Sequence, residues 1–129
     1  MSGILVTGGE PIASASKSVE VLKEDGSQMS SCSLPQLPES RRYHTQTGLT
    51  VCGGGLDSDS DDIKRTCVTL TNGSWRTSHN LVHPRGGHTS WASPIGIIFF
   101  GGLYSQDTAE VLKEDGTSEE IFKLKHTFP

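Results

Sequence analysis

His44 and His88 each stand three residues after an arginine, Arg41 and Arg85. An imidazole beside a fixed cation is a plausible proton-transfer group, so the pairs are the first place to look for chemistry. They recur about 44 residues apart. A catalytic residue is needed once, whereas a residue that returns at a repeat spacing is expected to pack or hydrogen-bond in every copy. A second candidate is the acidic run Asp57, Asp59, Asp61 and Asp62. Its alternation matches the first oxygen ligands of a calcium loop. The glycine and glutamate that such a loop needs further on are missing, so these aspartates are weak metal candidates and better candidates for a solvated binding loop. Ser58 and Ser60 within the run are possible phosphate acceptors.

The remaining chemistry-bearing residues form no constellation. His79, His83 and His126 lack the mutual spacing of a metal site, and no Ser-His-Asp or Cys-His arrangement is supported. No catalytic residue and no cofactor is therefore expected. Of Cys32, Cys52 and Cys67, at most two can pair within the chain. Cys52 and Cys67 fall on successive strands, which leaves a bridge open. Two buried thiols acting as small hydrophobes is the favoured expectation. Asn72-Gly73-Ser74 is a formal glycosylation sequon, but its role as a hairpin turn already accounts for it.

These residues are carried by short strands. Ile4-Leu5-Val6-Thr7 runs into Gly8-Gly9, Leu49-Thr50-Val51-Cys52 into Gly53-Gly54-Gly55, and Ile97-Ile98-Phe99-Phe100 into Gly101-Gly102. A strand ending on paired glycines implies a turn, or a close approach where a Cβ would clash. A loop that cradles phosphate would need a following helix and Lys-Ser/Thr, and neither is present. Alternating segments follow: Ser18–Leu22, Arg65–Leu70 and Thr108–Leu112. Each is turned back by an Asx-Gly pair, Asp25-Gly26, Asn72-Gly73 or Asp115-Gly116, read here as tight type I′ hairpins. Return strands are expected at 27–33, 74–79 and 119–125. Glu20-Val21-Leu22-Lys23-Glu24-Asp25-Gly26 reappears verbatim as Glu110-Val111-Leu112-Lys113-Glu114-Asp115-Gly116. The chain is thus a repeat, with units at 1–38 (lacking its first strand), 39–83 and 84–129. No helical periodicity is evident.

Composition narrows the class. The 129 residues include 15 glycines and are 33% hydrophobic and 20% charged, a turn-rich profile for one modest domain. A net charge of −4 with no basic cluster argues against nucleic acid as a partner. No apolar run reaches membrane-spanning length, and the amino terminus lacks the pattern of a signal peptide. The compartment stays open.

An antiparallel four-stranded unit of this length, with paired glycines after its second strand, fits a propeller blade. Leu37-Pro38-Glu39-Ser40-Arg41-Arg42-Tyr43-His44, then Val51-Cys52-Gly53-Gly54, then Asn72-Gly73-Ser74-Trp75 resembles a kelch repeat. The resemblance covers nearly the whole chain and implies an all-β, kelch-like β-propeller forming an open arc of about three blades. It departs from the family pattern in lacking the third-strand tyrosine and in keeping the fourth-strand tryptophan only as Trp75, which implies thinner packing between blades. Kelch propellers usually bind proteins through inter-strand loops, so a non-catalytic interaction scaffold with a protein partner is the first functional expectation. The alternatives are part of a galactose-oxidase-like propeller, for which Tyr43 and Tyr104 are the only tyrosines, and calcium-dependent recognition through Asp57, Asp59 and Asp61. Three blades leave open sheet edges. Further blades, or another copy, are expected to close the ring, and the chain is expected to be a fragment of a longer protein.

Overall fold

The structure, a computed structural model, describes residues 3–9, 17–23, 25–27, 34–55, 63–103 and 107–123. Among these residues there are ten strands and no helix: β1 (Gly3–Thr7), β2 (Val19–Lys23), β3 (Thr45–Thr47), β4 (Thr50–Cys52), β5 (Thr66–Thr71), β6 (Ser74–Asn80), β7 (Thr89–Ser93), β8 (Gly96–Phe100), β9 (Thr108–Leu112) and β10 (Ser118–Lys123). They form two four-stranded antiparallel meanders, β3-β4-β5-β6 and β7-β8-β9-β10, and a two-stranded sheet, β1-β2. The protein is all-β and built from repeated blade-like sheets. The return strand expected at 27–33 lies almost wholly outside the described residues.

The hairpins show which local signals held. Asn72 and Gly73 both take positive φ, 51° and 79°, and join Thr71 directly to Ser74. That is the two-residue loop of a type I′ turn. The Asp-Gly hairpins differ from expectation. Only the glycine has positive φ, 85° at Gly26 and 89° at Gly116. Gly116 N–H donates to Lys113 O, and Lys113 N–H donates to Thr117 O. The loop is therefore a three-residue one, closed by a left-handed glycine. Asp115 Oδ1 decides it by accepting both Thr117 N–H and Thr117 Oγ1–H, at 2.9 and 2.7 Å. Asp25 Oδ1 holds Ser27 in the same way.

The core lies between sheets, and the β3–β6 sheet is packed on both of its faces. Val19, Leu37, Val51 and Val68 form one cluster, with Leu5, Leu34 and Trp75 packed against it. This cluster joins the β1-β2 sheet to the β3–β6 sheet. Trp75 also donates its indole N–H to Pro35 O at 2.9 Å, tying β6 to the connection before β3. Cys52, Cys67, Leu81, Phe99 and Leu112 form the second cluster, with Ile97 against it, between the β3–β6 and β7–β10 sheets. Here one expectation is corrected: Cys52 and Cys67 are bonded as a disulfide. They are directly opposed on β4 and β5. The flanking bond Gly53 N–H to Thr66 O makes theirs a non-hydrogen-bonded pair, in which facing residues come closest, with Cα atoms 4.2 Å apart.

Candidate functional site

The arginines, histidines and glycine pairs meet at the seams between successive sheets, and the two seams repeat each other. Gly9 N–H donates to Arg41 O at 2.8 Å, and Gly54 N–H donates to Arg85 O at 2.7 Å. A Cβ built on Gly8 would come within 2.5 Å of Arg41 O and 2.7 Å of the His44 ring. At Gly53 the corresponding distances are 2.4 Å to Arg85 O and 2.7 Å to the His88 ring. The first glycine of a pair thus admits the next unit. The second serves its own: a Cβ on Gly54 would strike Arg42 O, and one on Gly102 would strike Gly86 O.

Inside each unit the arginine fastens the glycine strand to its neighbour. Arg41 Nη1 donates to Gly53 O and Thr66 O, and Nη2 to Thr66 Oγ1. Arg85 makes the matching bonds to Gly101 O, Thr108 O and Thr108 Oγ1. Both guanidiniums are buried. The two differ in their counter-charge. Arg85 Nε donates to Glu110 Oε1 at 2.8 Å, with both side chains fully enclosed. Glu110 also accepts the backbone N–H groups of Val82 and His83. In the preceding unit Val68 stands where Glu110 does, and Pro38, which has no N–H, stands where Val82 does. Arg41 Nε has no hydrogen-bond partner among the described residues, and burial lowers the pKa of that guanidinium.

The histidines are equally committed. Thr7 Oγ1 donates its one hydrogen to Gln46 Oε1 at 2.8 Å, so His44 Nε2 carries a proton and donates to Thr7 Oγ1 at 3.1 Å. Gln46 Nε2 completes the knot by donating to Leu5 O. His88 Nε2 bonds Thr45 Oγ1 at 2.8 Å, and its ring lies 5.8 Å from that of Phe99. Burial, reinforced by the neighbouring Arg85 and His44, pushes His88 down to about 4. Burial likewise lowers His44, with Arg41 adding to it. Both rings are neutral at pH 7, and each Nδ1 is enclosed without a hydrogen-bond partner among the described residues.

Sequence reading missed Glu110, Thr7 and the strained Tyr43. The signal for Glu110 was available in the verbatim copy of the Glu20 segment. Tyr43 is half-exposed with φ of 60°, at the place where the next unit has Gly87 with φ of 65°. The Arg42 guanidinium lies 5.1 Å over its ring. A left-handed aromatic is a genuine outlier, and here Tyr43 O accepts Gly87 N–H across the seam. The candidate loop residues Asp57, Asp59, Asp61 and Asp62 lie outside the described residues, as does Tyr104. Among the described residues no three of His, Cys, Asp and Glu gather in a group that would hold a metal ion, and no helix is long and apolar enough to cross a membrane. No protein-family model matches the chain, and no curated protein matches it.

Proposed function

We propose that this chain is a run of kelch-type propeller blades that serves as a protein-interaction scaffold, presenting its inter-strand loops to a protein partner. The observation that supports this reading is the duplication of the seam. In both seams the carbonyl of the arginine, Arg41 or Arg85, accepts the second glycine's N–H of the preceding pair, and the ring of His44 or His88 lies against the first glycine. A stack held in this manner is a rigid support, and what varies from unit to unit is the loop that leaves each glycine pair. Recognition by variable loops on a rigid frame is the usual division of labour in repeat proteins. The loop after Gly53-Gly54-Gly55 is the distinctive one, with four carboxylates in six residues, 57–62.

The test is a comparison of the natural chain with a variant carrying Asp57, Asp59, Asp61 and Asp62 all as Asn. Proteins crosslinked to the natural chain in its source cells should be lost from the variant at unchanged melting temperature. An identical crosslinked set would remove this loop from the binding surface. Calcium calorimetry on the same two proteins reads the metal question: heat seen only with the natural loop would make recognition calcium-dependent.

A further inference from the structure

A cleft of about 350 Å³ lies between the β3–β6 and β7–β10 sheets, at the edge formed by the hairpin turns and away from the glycine pairs. That volume is at the small end for ligand sites, roughly 300–1,000 Å³. Its lining includes the hydroxyls of Thr50, Thr69 and Ser78, the apolar side chains of Ile97 and Leu112, and the exposed Glu114. Repeat comparison marks the threonines as a departure. Counting from the glycine pairs and from Thr66 and Thr108, Thr50 and Thr69 correspond to Ile98 and Val111 in the following unit and to Leu5 and Val21 in the preceding one. Two of three units thus present aliphatic side chains where this unit presents hydroxyls. Thr50 Oγ1 and Thr69 Oγ1 bond each other at 2.9 Å. Ser78 Oγ is enclosed with no hydrogen-bond partner among the described residues. A buried hydroxyl without a partner is costly, and the Thr50 and Thr69 hydroxyls, which bond each other, leave acceptor capacity in the cleft.

We infer that this cleft binds a basic side chain, an arginine or lysine presented by a partner protein. Its aliphatic stem would lie along Ile97 and Leu112, and its charged end would meet the hydroxyl oxygens and the Glu114 carboxylate. Of the two basic side chains in the lining, His79 and Lys113, the lysine already pairs with Glu119 at 2.8 Å. The scaffold proposal enters only in taking the side chain to come from a partner; the cleft itself can be probed without one.

The probe is N-acetyl-arginine methylamide, titrated into the full chain and followed by amide chemical shifts. Saturable shifts are expected at Thr50, Thr69, Gly96 and Gly116. The capped norleucine analogue, which has the stem without the charge, should bind roughly tenfold more weakly or less. Thr50→Ile with Thr69→Val, which copies the following unit, should abolish the shifts while the dispersed spectrum persists. Glu114→Gln, an exposed change that leaves the fold intact, should weaken binding several-fold. Non-saturating shifts, equal binding of norleucine, or binding unchanged in both variants would overturn the proposal. Loss of the crosslinked partners from the acidic-loop variant would leave these titrations unaltered, so the two readings fail separately.

Discussion

Arg85 and Glu110 carry the highest electrostatic stake of any residues described, since both are wholly enclosed. Removing one partner of such a pair typically costs about 3–5 kcal/mol, because the other charge stays buried. The preceding unit tolerates valine in the carboxylate's place together with a proline that has no N–H to satisfy. Glu110→Val alone should therefore destabilise by about 3–5 kcal/mol in urea unfolding. Adding Val82→Pro should recover about 1 kcal/mol of that loss, as coupling between contacting residues does; strictly additive costs would refute the correspondence. His88 supplies a pH dependence whose sign follows from its neutral burial. Its ordinary value is 6.5 and its folded value about 4. The unfolded chain therefore binds the proton first, and stability present above pH 6.5 is lost as pH falls toward 4. The full effect is at most about 3 kcal/mol. His88→Gln should show a shallower loss than the natural chain between these limits, and parallel curves would count against the assignment.

At the scale of elements, the glycine pair is a joint with two duties. Gly53→Ala sets a Cβ against Arg85 O and also strains a φ of 72°, and no flexible side-chain end is available to yield to the carbonyl. The cost should exceed that of Gly9→Ala, whose Cβ would meet nothing within 4 Å although its φ is 104°. The disulfide acts on the same element from its other side, clamping β4 to β5 just before the glycines. Closing a loop with a sequence separation of 15 stabilises by about 3 kcal/mol in the chain-entropy model. Reduction should lower the unfolding midpoint accordingly, and blocking Cys32 beforehand should leave the difference intact. An unchanged midpoint after complete reduction would mean that packing of Cys52 and Cys67 against Phe99 and Leu112 suffices alone.

At the scale of the molecule, stability is expected to be graded rather than uniform. The seam between the β3–β6 and β7–β10 sheets holds the disulfide, Phe99, and the link from Glu110 to the connecting segment. The seam to β1-β2 relies on Val19, Leu37, Val51 and Val68, and Arg41 Nε has no hydrogen-bond partner among the described residues. In repeat architectures each unit leans on its neighbours, and local opening follows the weaker interface. Hydrogen exchange should find the amides of Ile98 and Val111 protected well beyond those of Leu5 and Val21. Equal protection would mean that the sheets open as one. The outer face of the β7–β10 sheet leaves Phe100 and Phe122 partly exposed, with ring centroids 6.2 Å apart.

The repeat, the strand positions and the all-β class were legible because they rest on local signals: alternation, glycine pairs, Asx-Gly turns and a seven-residue segment written twice. Even there, the Asp-Gly loops were misread, since the aspartate's own bonds to Thr117 and Ser27 override the dipeptide rule. The seam was half legible. Recurrence of Arg41 with His44 and of Arg85 with His88 pointed to a structural role, but their partners lie 12 to 43 residues away, where spacing carries no information. The sequence alone thus determined which residues repeat. Only the tertiary structure decided what each glycine of a pair admits, that Cys52 and Cys67 oppose each other closely enough to bond, and that Thr50 and Thr69 face a cleft. The physical reason is that side-chain alternation and turn chemistry are set by residues close in sequence, whereas burial and charge pairing are set by whichever sheet arrives alongside.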